Sequence, residues 1–245
     1  MAVVQKIRCT VEQIISYGEA VYTVDLTAER PVPRFLPGQF LHLALDPYDP
    51  SGFWPDSRVF SIASSFVQRD SLRISYSVRG RFTARMEKEL HQGQKVWIKL
   101  PYGEFVVDNT NDVVLFAGGT GITAFTAFLD GLKPDISHDV YIAYGARRRN
   151  LLIYQDMIEK RARDIPRLYV RYFIEEDGGL QPARICSEHR EIRGRLSVAA
   201  IWPHLRNSKD SIYYLSGPPM MLKAVSQELR NLGVDESKIK IDAWE

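Results

Sequence analysis

The stretch Val113-Val-Leu-Phe-Ala-Gly-Gly-Thr-Gly-Ile-Thr123 joins an unbroken apolar run to a glycine-rich turn. A continuous apolar run of this length predicts a strand that is buried on both faces. A helical pattern, Ala124–Leu132, follows the turn. Glycines let the backbone approach a diphosphate, and the amides at a helix start attract its charge. The segment therefore predicts a nucleotide-binding turn, although its spacing is not Gly-x-Gly-x-x-Gly. The alternative is an ordinary tight turn.

Strand and helix patterns alternate from this turn to the end of the chain. Further strands are predicted at Val140–Tyr144, Leu168–Ile174, Ile212–Leu215 and Ile239–Ile241, with helices at Leu152–Arg163 and from Pro218 to about Leu232. Such alternation is typical of an α/β fold, a parallel sheet with helices on both faces. Ligands of open sheets lie at the carboxyl ends of the strands. Gly118–Thr123 and Ser216-Gly-Pro-Pro-Met-Met221 are therefore expected to face one crevice. The alternative for the second turn is a proline-initiated helix with a core Met pair.

The part of the chain up to about Phe105 consists of short β-type runs between proline and glycine turns. The runs are Lys6–Ser16, Val21–Thr27, Gln39–Leu45, Arg58–Ala63, Leu72–Val78 and Lys95–Leu100. This punctuation predicts an antiparallel barrel or sandwich. One helical pattern, Thr83–Leu90, interrupts the runs, and Thr83 is its expected N-cap. We therefore predict two domains, 1–108 and 109–245.

Composition excludes several classes of protein. The 245 residues contain 32 Lys+Arg and 30 Asp+Glu, and this near balance predicts neither a nucleic-acid nor a membrane partner. Two cysteines cannot form a disulfide framework or hold an iron–sulfur cluster or structural zinc by themselves, and the five histidines show no metal-type spacing. No signal peptide is evident, and no apolar run reaches the ~20 residues of a membrane helix. A soluble, cytoplasmic protein without a metal site is expected.

A third segment, Arg58-Val-Phe-Ser-Ile-Ala-Ser-Ser65, presents a cation, a flat ring and hydroxyls on one strand. An arginine fork suits a phosphate, and an aromatic ring can stack on a flat heterocycle. The alternative is an amphipathic edge strand.

These segments, in this order, resemble the ferredoxin–NADP reductase superfamily, which includes oxygenase reductases, flavodoxin reductases and cytochrome b5 reductase-like proteins. The matching segments are Arg58–Ser61, Gly80–Thr83, Leu100–Phe105, Gly118–Ala124, Tyr144–Arg147, Ser216–Met221 and Asp242–Trp244. The chain departs from the family pattern at Phe60 in place of Tyr, Ala124 in place of Pro and Ser216 in place of Cys.

The resemblance implies a Greek-key β-barrel that binds FAD, followed by an α/β domain that binds NAD(P)H. Arg58 would neutralise the FAD diphosphate, Phe60 would pack on the flavin, and Ser61 would lie near flavin N5. The helix start would cap the diphosphate through the amides of Gly80, Arg81 and Phe82, with Thr83. The other expected FAD contacts are Val59, Tyr76 and Val78.

The resemblance also implies the residues of the nicotinamide site. The expected contacts are Gly119, Thr120, Gly121, Thr123, Arg147, Gly217, Pro218 and Met220. The residues expected at the reacting atoms are Ser61, Ser216, Asp242 and Trp244, and Trp244 is also expected to stack on the flavin.

The implied function is a flavin-dependent oxidoreductase that takes a hydride from NAD(P)H onto FAD and passes electrons to a separate acceptor. A protein acceptor is expected, such as a ferredoxin, a flavodoxin or an oxygenase component. Barrel cations could steer an acidic partner to the flavin: Arg69, Arg73, Arg79, Arg81, Arg85 and Lys88. Two alternatives stay open: a free-flavin or quinone reductase, and an electron-transfer or regulatory subunit of a larger complex.

Two charge runs bear on the choice between NADH and NADPH. Arg147-Arg-Arg149 could bind a 2′-phosphate, or form a solvated basic face. Glu175-Glu-Asp177 would repel a phosphate and could accept hydrogen bonds from ribose hydroxyls. The acidic run favours NADH.

Overall fold

The structure, a computed structural model, describes residues 3–108, 110–176 and 190–242. The chain folds into two compact units. The first is Met1–Val106 together with Thr126–Gly131, and the second is Val107–Phe125 together with Leu132–Glu245. The sequence pattern did not indicate that the short segment Thr126–Gly131 groups with the first unit.

The first unit is a six-stranded antiparallel sheet that curls into a nearly closed barrel. Its strands are β1 (Gln5–Ser16), β2 (Val21–Ala28), β3 (Phe40–Ala44), β4 (Ser57–Ser61), β5 (Ser71–Ser77) and β6 (Lys95–Tyr102), in the order β4-β3-β6-β1-β2-β5. Beside the two end strands, the Ala63 amide donates to the Arg73 carbonyl at 2.8 Å. The predicted antiparallel barrel is confirmed.

Alternation along the strands builds the barrel core. On β1, Ile7, Cys9 and Val11 point inward and are fully buried. Ala127 packs in the same core. Burial raises the pKa of the Cys9 thiol to about 12, so the thiol stays protonated.

Helix α1 (Arg81–Glu89) covers the barrel and begins earlier than predicted. Gly80 is the N-cap, so the prediction of Thr83 at that position is wrong. Thr83 is the third helical residue, and its Oγ1 accepts hydrogen bonds from the amides of Arg79 at 2.9 Å and Gly80 at 3.2 Å. A threonine can accept hydrogen bonds from amides at a helix start either as the N-cap or as the third helical residue. The sequence pattern does not distinguish these two positions, so the predicted start lay two residues too late.

The second unit is a six-stranded sheet, and the prediction that its strands are parallel is confirmed. Its strands are β7 (Val113–Gly118), β8 (Val140–Ala146), β9 (Leu168–Ile174), β10 (Glu191–Arg193), β11 (Ile212–Ser216) and β12 (Ile239–Asp242), and its helices are α3 (Gln155–Asp164) and α4 (Pro219–Asn231). Helix α2 (Thr123–Gly131) begins in this unit and belongs to the first unit from Thr126 onward. The three-residue strand β10 was not predicted. Helix α3 begins later than predicted because a 3₁₀ turn, Arg149–Leu151, precedes it.

The strand order β10-β9-β8-β7-β11-β12 contains one reversal of direction. From β7 the chain adds β8, β9 and β10 on one side, and it then returns to add β11 and β12 on the other. The switch point of the sheet therefore lies between β7 and β11, where open α/β sheets form a ligand crevice beyond the carboxyl ends of the strands.

Within the described ranges, no helix has both the length and the apolar character needed to cross a lipid bilayer.

Candidate functional site

The turns after β7 and β11 pack together more closely than side chains would allow. A Cβ on Gly121 would lie 2.4 Å from the carbonyl oxygen of Ser216, and a Cβ on Gly118 would lie 2.8 Å from Cδ of Pro218. Gly217 has a φ of +154° and packs against the backbone of Gly118. The two segments that the sequence predicted to face one crevice are therefore in direct contact at the switch point.

The turn after β7 keeps an open side. Gly119 has a φ of +53°, and a Cβ there would meet nothing within 4 Å. It opens a 3₁₀ turn, Gly119–Ile122, which precedes α2. Gly119, Thr120 and Gly121 are half-buried. The turn therefore offers bare backbone to a ligand, which suits a diphosphate.

The side chain of Thr123 serves the turn itself. Its hydroxyl donates to the Thr120 carbonyl at 2.8 Å, and the residue is buried. The structure thus gives this predicted contact residue a role in holding the turn.

Ser216 and Asp242 end the neighbouring strands β11 and β12 and lie opposite each other in register. The Ser216 hydroxyl donates to Oδ2 of Asp242 at 2.9 Å, and both residues are at most 5% exposed. A buried carboxylate requires such donors, because burial without them is costly. The structure brings these two predicted residues together, whereas Trp244 lies outside the described residues.

The start of α4 supplies the remaining wall. Pro218 is the N-cap, and Met220 is 79% exposed. Met221 is the methionine that contacts the turn, since its Sδ lies 2.5 Å from the Cβ position of Gly118. The sequence pointed to Met220 alone, because helical spacing could not show which methionine faces the glycine turn.

Residues of the basic and acidic runs beyond β8 and β9 form ion pairs, one of them between the two runs. Nε of Arg148 lies 3.3 Å from Oε2 of Glu176, and Nε of Arg195 lies 3.5 Å from Oε2 of Glu175. Arg149 forms a bidentate pair with Glu191. Arg147 is exposed, and Asp177 lies outside the described residues. The cations offered to a 2′-phosphate are therefore partly neutralised within the protein.

In the barrel, a row of aromatic rings crosses three strands. Phe60 on β4 and Tyr76 on β5 have ring centroids 6.2 Å apart, and Tyr76 stacks on Tyr22 of β2 at 5.3 Å. The Tyr22 hydroxyl donates to Oε1 of Glu87 on α1 at 2.8 Å. Tyr76 is buried, and burial raises the pKa of its hydroxyl. Tyr76 is thus a core residue, while Phe60 is half-buried.

The other predicted barrel residues lie along β4 and after β5. Arg58 is exposed, and Val59 and Ser61 are half-buried. Val78 is half-buried and leads into α1 through Arg79, which is exposed. Arg58 and Arg79 therefore present charge to solvent near the two end strands of the sheet.

The start of α1 has open amides, but not the predicted set. The Gly80 amide donates to Thr83 Oγ1, so it is not available to a ligand in this arrangement. The amides of Arg81, Phe82 and Thr83 have no acceptor among the residues that the structure describes. The side chain of Phe82 is buried in the barrel core. These three amides, with the helix dipole, form an electropositive cradle.

Several of the cations predicted to steer a partner are engaged within the barrel. Arg73 forms a bidentate pair with Asp25 at 2.6 and 2.7 Å, and Arg69 donates to the Val32 carbonyl at 2.9 Å. Arg85 pairs with Asp46. Arg79, Arg81 and Lys88 remain exposed.

Comparison with known proteins agrees with both units. Residues 115–227 match the family described as the oxidoreductase NAD-binding domain. The flavohemoprotein of Rhizobium meliloti (strain 1021) is 25% identical over 229 residues, which cover 87% of this chain and 54% of the relative. The toluate 1,2-dioxygenase electron transfer component of Pseudomonas putida is 27% identical over 206 residues, covering 82% and 56%.

A solved structure shares the whole fold. The FAD/NAD-binding domain of the nitric oxide dioxygenase from Vibrio cholerae O1 biovar El Tor has a TM-score of 0.79 at 18% identity, with 97% of this chain and 98% of that chain covered. These likenesses confirm the resemblance to ferredoxin reductase-like FAD/NAD-binding oxidoreductases. The chain spans about half the length of the curated relatives given above.

Proposed function

We propose that this chain is an FAD-dependent oxidoreductase that takes a hydride from NADH and passes electrons to a protein acceptor. The observation that carries the proposal is the glycine-built crevice at the switch point, in a chain whose first unit is a barrel with open amides at a helix start. The two relatives, a flavohemoprotein and a dioxygenase electron transfer component, support this function.

The barrel residues fit an anionic nucleotide that carries a flat ring. The amides of Arg81, Phe82 and Thr83 would receive the FAD diphosphate, and the exposed Arg58 would neutralise it. Phe60 offers a half-buried ring to the flavin. Val59, Ser61 and Val78 would complete the contact, with Ser61 near flavin N5, and Tyr76 would support Phe60 from the core.

The second unit fits a dinucleotide. Gly119, Thr120 and Gly121 would take the nicotinamide end and diphosphate on bare backbone, and Gly217 and Pro218 would form the opposite wall. Ser216, held by Asp242, would present its hydroxyl oxygen to the nicotinamide. Thr123 would keep the turn in shape, whereas Met220 and Arg147 would contact the ligand from the rim.

Bound FAD would supply the redox chemistry, because it accepts two electrons as a hydride and can release them singly. The protein residues would bind and orient the two cofactors and exclude water. The acceptor is proposed to be a protein with an acidic surface, since Arg79, Arg81 and Lys88 remain exposed on the barrel. NADH is proposed as the donor, because the Arg148 charge is matched by Glu176.

The test is anaerobic mixing of the purified, FAD-loaded chain with NADH or NADPH in a stopped-flow spectrometer. Bleaching of the flavin absorbance, faster with NADH, is the expected result. Steady turnover with ferricyanide but not with free flavin would favour a protein acceptor over the free-flavin reductase alternative. A chain that binds no flavin would contradict the proposal.

A further inference from the structure

Three sets of contacts hold helix α1 on the barrel. Phe82 and Met86 are buried in the barrel core, Glu87 accepts a hydrogen bond from Tyr22, and Arg85 pairs with Asp46. The helix has nine residues, and isolated helices of this length are marginal in water. Its direction therefore depends on these tertiary contacts.

The guanidinium group of Arg85 donates to carboxylates through all three of its nitrogens. Nη1 and Nη2 donate to the two oxygens of Asp46 at 2.7 and 2.5 Å, and Nε donates to Glu89 at 2.8 Å. Asp46 lies two residues beyond the end of β3. A bidentate pair of this kind fixes geometry as well as distance, because the fork is planar. Arg85 thus joins the middle of α1 to the end of a barrel strand.

Arg81 lies one helical turn earlier and is bound far more loosely. Its side chain is 95% exposed, and its closest carboxylate contact is 3.9 Å from Nη2 to Oδ2 of Asp56. Asp46 and Asp56 both belong to the connection between β3 and β4, but only the pair at Asp46 is tight. The arginine at the helix start is therefore exposed and loosely paired, and the one in the middle holds the helix.

We propose that Arg85 is a positioning residue for the FAD diphosphate, acting through Asp46. The pair fixes the direction of α1, and with it the direction of the open amides of Arg81, Phe82 and Thr83. Preorganised donors of this kind lose effect when they are displaced by a fraction of an ångström. The inference rests on the proposed function, since it assigns α1 to the diphosphate of FAD.

The experiment compares ligands with and without the diphosphate. Dissociation constants for FAD and for riboflavin are measured by fluorescence titration on the full chain and on Arg85→Gln. The FAD constant is expected to rise about tenfold, which corresponds to ~1.4 kcal/mol, while the riboflavin constant changes less than about twofold. Arg85→Lys is expected to recover part of the FAD affinity, because lysine restores the charge without the fork.

The matched control is the second bidentate pair of the barrel. Arg73 holds Asp25 through Nε and Nη2, whereas Arg85 holds Asp46 through Nη1 and Nη2. The two arginines have a similar exposure, 40% for Arg73 against 33% for Arg85. Arg73→Gln is expected to lower the melting temperature as much as Arg85→Gln and to leave the FAD constant unchanged. Asp46→Asn provides a second route to the same loss of the pair should Arg85→Gln fail to fold.

Three outcomes would overturn the inference. These are an unchanged FAD constant in both Arg85→Gln and Asp46→Asn, an equal loss for FAD and riboflavin, and an equal loss of FAD affinity in Arg73→Gln. Failure of the unmodified chain to bind any flavin would instead overturn the proposed function, so the two failures are distinguishable.

Discussion

The two candidate nucleotide sites of this protein are built by different means. In the barrel, the start of α1 combines open amides with the exposed cations of Arg58, Arg79 and Arg81. In the α/β unit, the crevice is built from bare glycine backbone, and Arg148 and Arg149 at the sheet edge already pair with Glu176 and Glu191. One site depends on charge and the other on close packing.

The difference bears on how each site should respond to substitution. A charge acts over several ångströms and is screened by solvent, so its loss weakens binding by degrees. A Cβ added to Gly121 would lie only 2.4 Å from a carbonyl oxygen, so the backbone would have to move to admit it. We therefore expect one substitution in the α/β crevice to abolish nucleotide binding, and one substitution in the barrel site to weaken it only in part.

The largest effect is expected for Gly121→Ala. The new Cβ would lie 2.4 Å from the carbonyl oxygen of Ser216, so the two turns must separate. We expect a loss of about 3 kcal/mol in unfolding free energy and no measurable NAD⁺ binding, from denaturant titration and calorimetry. In the control, Gly119→Ala, the new Cβ meets nothing within 4 Å, and we expect only the ~1 kcal/mol conformational cost of an alanine at φ +53°. Equal losses in both variants would refute the packing explanation.

A smaller effect is expected for Arg58→Ala. Removing a charge-assisted hydrogen bond of ~1.5–3 kcal/mol to the diphosphate should weaken FAD binding about 10- to 100-fold. The measurement is flavin absorbance per mole of purified protein, with a titrated dissociation constant. Arg34→Ala, at another exposed arginine of the barrel unit, serves as the control and should bind FAD normally. Equal flavin affinity in the two variants would remove Arg58 from the site.

The smallest effect is expected at the exposed ion pair between the segments that follow β8 and β9. Glu176→Gln removes a carboxylate that pairs with Arg148 and so lowers the negative charge that a 2′-phosphate would meet beside this arginine. Because the pair is exposed, we expect only a rise of about two- to fivefold in the NADPH to NADH ratio of kcat/KM, in line with the ~0.2–1 kcal/mol of exposed ion pairs. Adding Arg148→Gln should cancel the gain. A gain that survives this second substitution would show that Arg148 is not the group that meets the 2′-phosphate.

Much of the fold could be predicted from local patterns. Alternation along β1 and the unbroken apolar run of β7 each report directly on which faces are buried. The predicted helix starts were less accurate where a side chain within the helix accepts from an earlier amide, as Thr83 does from Gly80. They were also less accurate where a 3₁₀ turn precedes the helix. The strand β10 has three residues, too few to carry a pattern.

Only those parts of the candidate sites that form short sequence motifs could be predicted. Glycine and proline spacing located the turns at Gly118 and Ser216 because each turn is local in sequence. The Arg85–Asp46 pair joins residues 39 positions apart, and the Glu176–Arg148 pair joins residues 28 apart. Such pairs depend on the register of the sheets, and no local pattern encodes that register.

The segment Thr126–Gly131 has a consequence for how the chain folds as it is made. Ala127 lies in the barrel core, and the ring of Phe66 occupies the space where a Cβ on Gly131 would lie. Strand β1 pairs with β6, beginning at Gln5↔Leu100, so this pairing cannot form until β6 has been synthesised. The barrel core is complete only after Ala127 has been synthesised as well. At about 5–20 residues per second, this delay is on the order of ten seconds after β1 emerges from the ribosome. Until β6 is available, an edge of β1 stays unpaired and open to other chains, and until Ala127 is available the barrel core stays incomplete. A nascent chain halted before residue 126 should therefore be a better chaperone client than one halted after residue 131.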